Sequence, residues 1–393
     1  MQRNGHFEGL KAGYLFPEVA KRRKLFQESH PEAKVISLGV GNTTEPLTPH
    51  IKAALAAVAE RLGTVSGYTG YGDEQGEQAL RAAIAAIHYG GKVQPDEVFV
   101  SDGAKCDIGR LQILFGSCKA VVQDPAYPVY VDGSIIQGAG LRYMPCTRDN
   151  LFMPDVSLIP EGSIVYFCSP NNPTGAVATR EQLSLLVSEV RRKKSILVFD
   201  AAYSEYVSDP ALPKSVYEID GAKECAIEVN SFSKPIGFTG VRLGWSIVPK
   251  ALKYEDGRSV HADWLRIATT LFNGASNIAQ AGGLASFDPE GRAEMRSLVG
   301  YYMGNARIIK AALVGLGLEC IGGDNAPYIW ARFPGRDSWE VFGEILEKCH
   351  VVTTPGSGFG PAGQSYIRFS AFGHRENVEE ASSRLARLAG SAL

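Results

Sequence analysis

Residues 225–249 read CAIEVNSFSKPIGFTGVRLGWSIVP. Lys234 follows two serines, Ser231 and Ser233, and stands eight residues before Arg242. The apolar runs 225–229 and 243–248 have the composition of short buried strands. Pro235 and Gly237 keep the segment between them from forming a long helix. The lysine therefore stands on a tight loop at a strand end. A buried lysine near other cations loses its proton easily and becomes a nucleophile toward aldehydes. Hydroxyls with an arginine make a phosphate clamp. An aldehyde and a phosphate together point to pyridoxal 5′-phosphate (PLP), held as a Schiff base on Lys234. Two other readings remain open on this stretch alone. Ser231-Phe232-Ser233-Lys234 also fits the serine-nucleophile motif S-x-x-K, although the companion motifs S-D-N and K-T-G are absent from the chain. Most loop lysines, moreover, are simply solvated.

Further candidates stand where other apolar runs end. Asp200 closes the run 196–199, and a buried carboxylate is costly unless it meets a cation. A pyridinium nitrogen would be that cation, and the pair would keep the ring an electron sink. The plainer alternative is a strand-end aspartate capping a turn. Asn172 and Tyr203 can donate to the ring's phenolic oxygen, and Tyr127 can stack on its face. Gly103-Ala104 opens a helix whose free N–H groups suit a phosphate, with Ser231, Ser233 and Arg242 completing the site. Gly39 and Gly41 allow close backbone approach to a ligand, or form a plain turn.

The elements that must position these residues follow from the patterning. Residues 1–45 read as an arm, with Phe7, Leu10, Tyr14, Leu15 and Phe16 as apolar anchors. Pro17 starts a helix, and 35–38 is a short strand. An amphipathic helix covers 49–62. The stretch 66–76 is too rich in glycine and tyrosine to be regular, and 74–88 is helical again. Strands then end at Ser101, Gln123, Cys168, Asp200 and Asn230, with helices over 104–115, 127–137 and 179–194. This alternation argues for an α/β fold with a mostly parallel sheet flanked by helices. In such sheets ligands bind beyond the carboxyl ends of the strands. A long helix or broken pair spans 275–315. A smaller α+β domain carries strands over 328–332, 351–353 and 366–370 and helices over 337–349 and 377–388. The division is an arm with part of the small domain over 1–45, a large domain over 46–280 and a carboxyl-terminal small domain over 281–393. One G-x-G-x-x-G, at Gly358, Gly360 and Gly363, precedes a strand rather than a helix, which argues against dinucleotide binding.

The chain of 393 residues is 45% hydrophobic and 21% charged, ordinary for a protein with a sizeable core. Its net charge of −2 disfavours nucleic acid or an anionic membrane as partner. The basic clusters at 21–24 and 191–194 read as solvated helix faces. Seven cysteines without a C-x-x-C pair suggest free thiols in a reducing compartment, with neither disulfides nor a metal site. No signal-peptide core or membrane-length apolar run is seen, so the expected location is the cytoplasm.

The segments SPNNPTG, DAAY and SFSKPIGFTGVRLGW resemble the fold-type-I PLP aminotransferases of class I/II, and the likeness runs over nearly the whole chain. Within that family, GYTGYGDEQG, SDGAKCDIGRLQ, DPAYPVYVD and TLFNGAS are most similar to the branch acting on LL-2,6-diaminopimelate. The resemblance implies a homodimer with shared active sites and small amino acids and 2-oxo acids as substrates. It implies PLP contacts at Ala104, Lys105, Tyr127, Asn172, Asp200, Tyr203, Ser231, Ser233, Lys234 and Arg242, with Tyr71 reaching across the interface. It implies substrate contacts at Tyr14, Gly41, Glu74, Lys105, Tyr127, Asn172, Asn273 and Arg368. The planar fork of Arg368 suits an α-carboxylate. Glu74 suits the distal amine of diaminopimelate, and Lys105 with tyrosines its distal carboxylate. Lys234, Asp200 and Tyr203 are the expected catalytic residues, with Lys234 moving the Cα proton as base and acid. Aspartate or aromatic transamination, or a PLP-dependent lyase on the same fold, are the alternatives. A cofactor-binding regulator would carry a basic helix-turn-helix segment, and none is visible.

Overall fold

The computed structural model describes residues 1–10 and 14–387. Its centre is a seven-stranded sheet. Across the sheet the order is Val98–Ser101, Gly244–Ile247, Ala226–Ser231, Ile196–Asp200, Ile164–Cys168, Ala120–Asp124 and Leu141–Pro145. Gly244–Ile247 runs antiparallel to both neighbours, and the remaining neighbours are parallel. Ile164–Cys168 and Ile196–Asp200 are buried at every position, the run of apolar residues expected of strands covered on both faces. Alternate residues serve two cores. Val165 and Phe167 join Leu183, Leu186 and Val190 of the helix Arg180–Arg192. Ile164, Tyr166 and Cys168 join Ile108 and Leu111 of the helix Ala104–Phe115 and Trp264 of the helix Val260–Leu271. The consequence for function is that six strands end on one edge, bringing Ser101, Asp124, Cys168, Asp200 and Ser231 together there.

A second, four-stranded antiparallel sheet has the order Thr354–Pro355, Tyr366–Ser370, Tyr328–Arg332 and Cys320–Gly322. The long helix Pro289–Gly315 packs on it through Tyr302, Ala306 and Ile309. Leu15, Val19 and Phe26 of the helix Leu15–Ser29 enter the same core, and Ile36–Ser37 pairs in parallel with Val351–Val352. Much of the expected arm is thereby a wall of the second core.

Several elements differ from the sequence reading. The helix expected over 74–88 is α-helical only at Gln78–Ala83 and continues as a π-helical turn, Ile84–His88. A turn closed by Gly76 N–H to Asp73 O, with Gly76 at φ 98°, delays its start. The span 275–315 is a broken pair, Asn277–Ala285 and Pro289–Gly315, divided where Asp288 caps the second helix. Val260–Leu271, capped by the Ser259 hydroxyl on Ala262 N, has no counterpart in the sequence reading. Pro17 lies in the first turn of its helix rather than at its start, a position where no N–H is needed. The last helix is Arg375–Ala386, and Leu388, its expected end, lies outside the described residues. Among those residues no helix is long and apolar enough to cross a membrane.

Candidate active site

The carboxyl edge of the large sheet forms one wall of a cavity of about 560 Å³, and Phe16, Gly41, Tyr328 and Arg368 close it from the side of the second core. Lys234 enters from the loop after Ala226–Ser231. Its Nζ donates to Gly41 O, and its own carbonyl accepts from the Tyr206 hydroxyl at 3.0 Å. Burial first, and then the charges of Arg368 and Arg242, pull its ammonium down to about 7. Near neutrality a large fraction of this amine is uncharged, as a nucleophile or base requires.

Beside it lies a cup of donors. Arg242, at φ 69°, directs Nη1 to Ser233 Oγ (3.2 Å) and Thr239 O (3.1 Å). Gly103 precedes the helix Ala104–Phe115 at φ 124°, and a Cβ there would meet Arg242 Nη2 at 2.4 Å. Ser101 Oγ takes the Gly103 N–H at 3.2 Å and donates to buried Asp107 at 2.7 Å. Ser231 Oγ accepts from Ser233 N at 3.0 Å. Gly244 packs so closely that a Cβ would lie 2.8 Å from both Gly103 Cα and Asn230 O. A helix start, a guanidinium and serine hydroxyls around a backbone cradle suit a phosphate.

Asp200 lies in the cavity wall, and among the described residues no lysine, arginine or histidine pairs with it. Burial raises its carboxyl, while donation from Tyr130 OH (2.7 Å) and Ala202 N (3.0 Å) opposes that rise. A cationic ring nitrogen is the partner that a carboxylate so placed lacks. Tyr203 and Tyr328 share a hydrogen bond of 2.7 Å between hydroxyls. Arg368 is 1% exposed. Its Nη1 reaches Asn172 Oδ1 at 2.7 Å, its Nη2 reaches Gly39 O and Thr354 Oγ1, and its Nε has no partner. No carboxylate pairs with it among the described residues, so this buried fork is an acceptor site for an anion. Donor cup, uncompensated carboxylate and lowered lysine together fit PLP.

The cavity thus gathers Gly41, Ala104, Lys105, Tyr127, Asn172, Asp200, Tyr203, Ser231, Ser233, Lys234, Arg242 and Arg368. Tyr14 stands at its margin, with Lys105 Nζ 5.3 Å from its ring centre and 5.6 Å from that of Tyr127. Tyr71, Glu74 and Asn273 are exposed and line no part of it among the described residues. They are close in space to one another: a Cβ at Gly274 would lie 3.5 Å from Glu74 Cα, and Asn277 Nδ2 holds Gly70 O at 3.2 Å. Tyr130 and Tyr328 were not singled out from the sequence. Tyr130 stands in the DPAYPVYVD segment, but only the strand order reveals its reach to Asp200. Tyr328 needs the antiparallel register that sets its strand beside Arg368.

The family model described as aminotransferase class I and II matches residues 33–385. A rice (Oryza sativa subsp. japonica) protein named probable LL-diaminopimelate aminotransferase, chloroplastic, is 55% identical, over 98% of this chain and 86% of its own length. An LL-diaminopimelate aminotransferase of Protochlamydia amoebophila is 50% identical, over 98% of this chain and 97% of its own. The solved L,L-diaminopimelate aminotransferase of Chlamydomonas reinhardtii superposes with a TM-score of 0.96 at 56% identity, covering 99% of each chain.

Proposed function

This chain belongs to the PLP-dependent aminotransferase class I and II family, and from that premise we propose that it transaminates between LL-2,6-diaminopimelate and 2-oxoglutarate. The physiological direction is toward diaminopimelate, with glutamate as donor and tetrahydrodipicolinate as the cyclised keto form. The single observation that carries the substrate is the likeness, at 56% identity over 99% of both chains, to a solved enzyme of that name.

Bound PLP supplies an aldehyde that takes up the amino group and a ring that accepts the electron pair left when the Cα–H bond breaks. The chain supplies the rest. Lys234 Nζ, uncharged in a large fraction, would take the Cα proton and, as an acid, deliver it to the carbon that had carried the aldehyde. Asp200 would keep the ring nitrogen protonated, and Tyr203, Asn172 and Tyr127 would hold the ring. Ser231, Ser233, Arg242 and the N–H groups at Ala104 and Lys105 would hold the phosphate. Arg368 takes the α-carboxylate, exchanging Asn172 Oδ1 and Gly39 O for its oxygens. Burial of these groups excludes water from the proton transfer.

The reading includes a homodimer. Tyr71, Glu74 and Asn273 form a neighbouring set outside their own chain's cavity, and in the dimer they serve the partner's site. Glu74 would receive the distal amine there, and Lys105 with Tyr14 and Tyr127 the distal carboxylate. The division into 1–45, 46–280 and 281–393 is part of the same proposal, as is a cytoplasmic location, which the seven free cysteines favour. Steady-state kcat/KM for LL-diaminopimelate, aspartate, alanine and tyrosine, each with 2-oxoglutarate, tests the substrate. Preference for aspartate or tyrosine would remove diaminopimelate while leaving an aminotransferase.

A further inference from the structure

Behind the Lys234 loop, on the side away from the cavity, lies a buried polar bridge that none of the roles above uses. His88 ends the π-helical turn Ile84–His88 with its side chain 4% exposed. The insertion of a π turn in a helix re-aims the residues that follow and often marks a functional position. The ring is edge-on to Tyr89 at 4.7 Å and to Trp245 at 5.2 Å. Its Nδ1 lies 3.0 Å from Glu205 Oε1, and its Nε2 lies 3.2 Å from Asn230 Nδ2.

The hydrogen-bond pattern fixes the tautomer. Ser231 N–H donates to Asn230 Oδ1 at 2.8 Å, so the amide oxygen faces Ser231 and the amide nitrogen faces His88. That nitrogen donates one hydrogen to Ser204 Oγ (3.3 Å) and the other to His88. Nε2 must then be an acceptor without a proton, and the ring's single N–H, on Nδ1, donates to Glu205. Burial would raise the Glu205 carboxyl, but the His88 hydrogen bond, with the charges of Lys214 and Arg292, holds it below its ordinary range, so it is an ionised acceptor. The Asn230 amide thus uses its oxygen once and both hydrogens of its nitrogen, in one orientation only.

The bridge joins two loops of the active site. On one side Asn230 holds the main chain of Ser231, the first residue of the phosphate cup. On the other, Glu205 belongs to the turn Ser204–Tyr206 that follows Tyr203 and whose Tyr206 hydroxyl holds Lys234 O. We propose that His88 is a positioning residue for the cofactor phosphate, acting through Asn230 on Ser231 and through Glu205 on the turn beside Tyr203.

This inference rests on PLP as the cofactor, and the phosphate gives it a specific readout. Cofactor-free protein is titrated with PLP and with pyridoxal, which has the aldehyde and ring but no phosphate, following ring absorbance. His88→Phe keeps an aromatic ring against Trp245 but removes both polar contacts. His88→Asn is small enough to be accommodated but too short to span both partners, and it provides a second test where the first does not fold. Both should weaken PLP binding about tenfold or more, the scale of one or two lost buried hydrogen bonds, with pyridoxal binding changed less than about twofold. His88→Gln offers one acceptor and one donor at greater reach and should recover most of the PLP affinity. Equal weakening of both ligands, no weakening of either, or a His88→Gln protein no better than His88→Phe would each overturn the proposal. Wild-type protein that binds neither ligand would overturn the cofactor assignment and the role of His88 with it.

Discussion

The Tyr130 hydroxyl donates to Asp200 Oδ2 across 2.7 Å in the floor of the cavity. It reaches from the helix Val129–Ile136 to the end of the strand Ile196–Asp200. The bond opposes the burial that drives the Asp200 carboxyl upward, so it helps keep the carboxylate ionised for a cationic ring nitrogen. Tyr130→Phe should lower kcat by about ten- to a hundredfold, the scale of a hydrogen bond to a charged group. Asp200→Asn should retain PLP, seen by absorbance, and lose nearly all turnover, mainly in kcat. A near-normal kcat for Asp200→Asn would reduce Asp200 to a turn cap.

Borohydride reduction of the PLP-loaded protein should attach the cofactor irreversibly to Lys234, located by peptide mapping. Attachment at any other lysine contradicts the site described above.

Cofactor-free protein carries a pH signature of the same residue. Lys234 is lowered from 10.5 to about 7 in the folded chain. Between those two values the unfolded chain binds the additional proton, so stability increases with pH through this window and its contribution levels off above it. Melting temperatures of the cofactor-free protein from pH 7 to 10 should show a rising component that Lys234→Met abolishes. An identical profile for Lys234→Met would mean that the lysine is not desolvated.

Shared sites can be tested by subunit mixing. If the proposed sharing holds, Lys234→Ala subunits should be inactive and Tyr71→Phe subunits should be impaired at the partner's site. Heterodimers formed by dissociation and reassociation should contain one site with both native residues and regain activity. Mixtures no more active than their parents would place Tyr71 outside the partner's site.

Glu74→Gln should reduce kcat/KM for diaminopimelate more than for glutamate, which lacks the distal amine. Loss of a charged partner at a desolvated contact corresponds to a few kcal/mol at most. An equal loss for both substrates would show Glu74 to be a loop-packing residue.

The parts of the site that could be read from the sequence are those close together along the chain. Ser231, Ser233, Lys234 and Arg242 lie within twelve residues, at and just after the end of the short strand Ala226–Ser231. The edge-on convergence of Ser101, Asp124, Cys168, Asp200 and Ser231 follows from strand–helix alternation. Contacts that depend on register or strand order were not readable: Tyr130 to Asp200 spans 70 residues and Tyr203 to Tyr328 spans 125. Periodicity also failed at 74–88, where apolar spacing continues through the π-helical turn that redirects His88. The loop carrying Tyr71 and Glu74 has sequence signals for irregularity but none for direction, and its assignment rests on resemblance.

The absence of a side chain at Gly244 has a consequence for how this site can fail. The separation between the start of the helix Ala104–Phe115 and the Ser231 strand is set by main chain against main chain, with Gly103 Cα, Ala104 N and Asn230 O all within 3.0 Å of where a Cβ would stand. A single methyl group there would wedge the two walls apart before any charged or hydroxyl group was lost. The clamp would then retain Arg242, Ser231 and Ser233 at the wrong spacing, so a variant could keep every charged and hydroxyl group of the cup and still be unable to grip its anion.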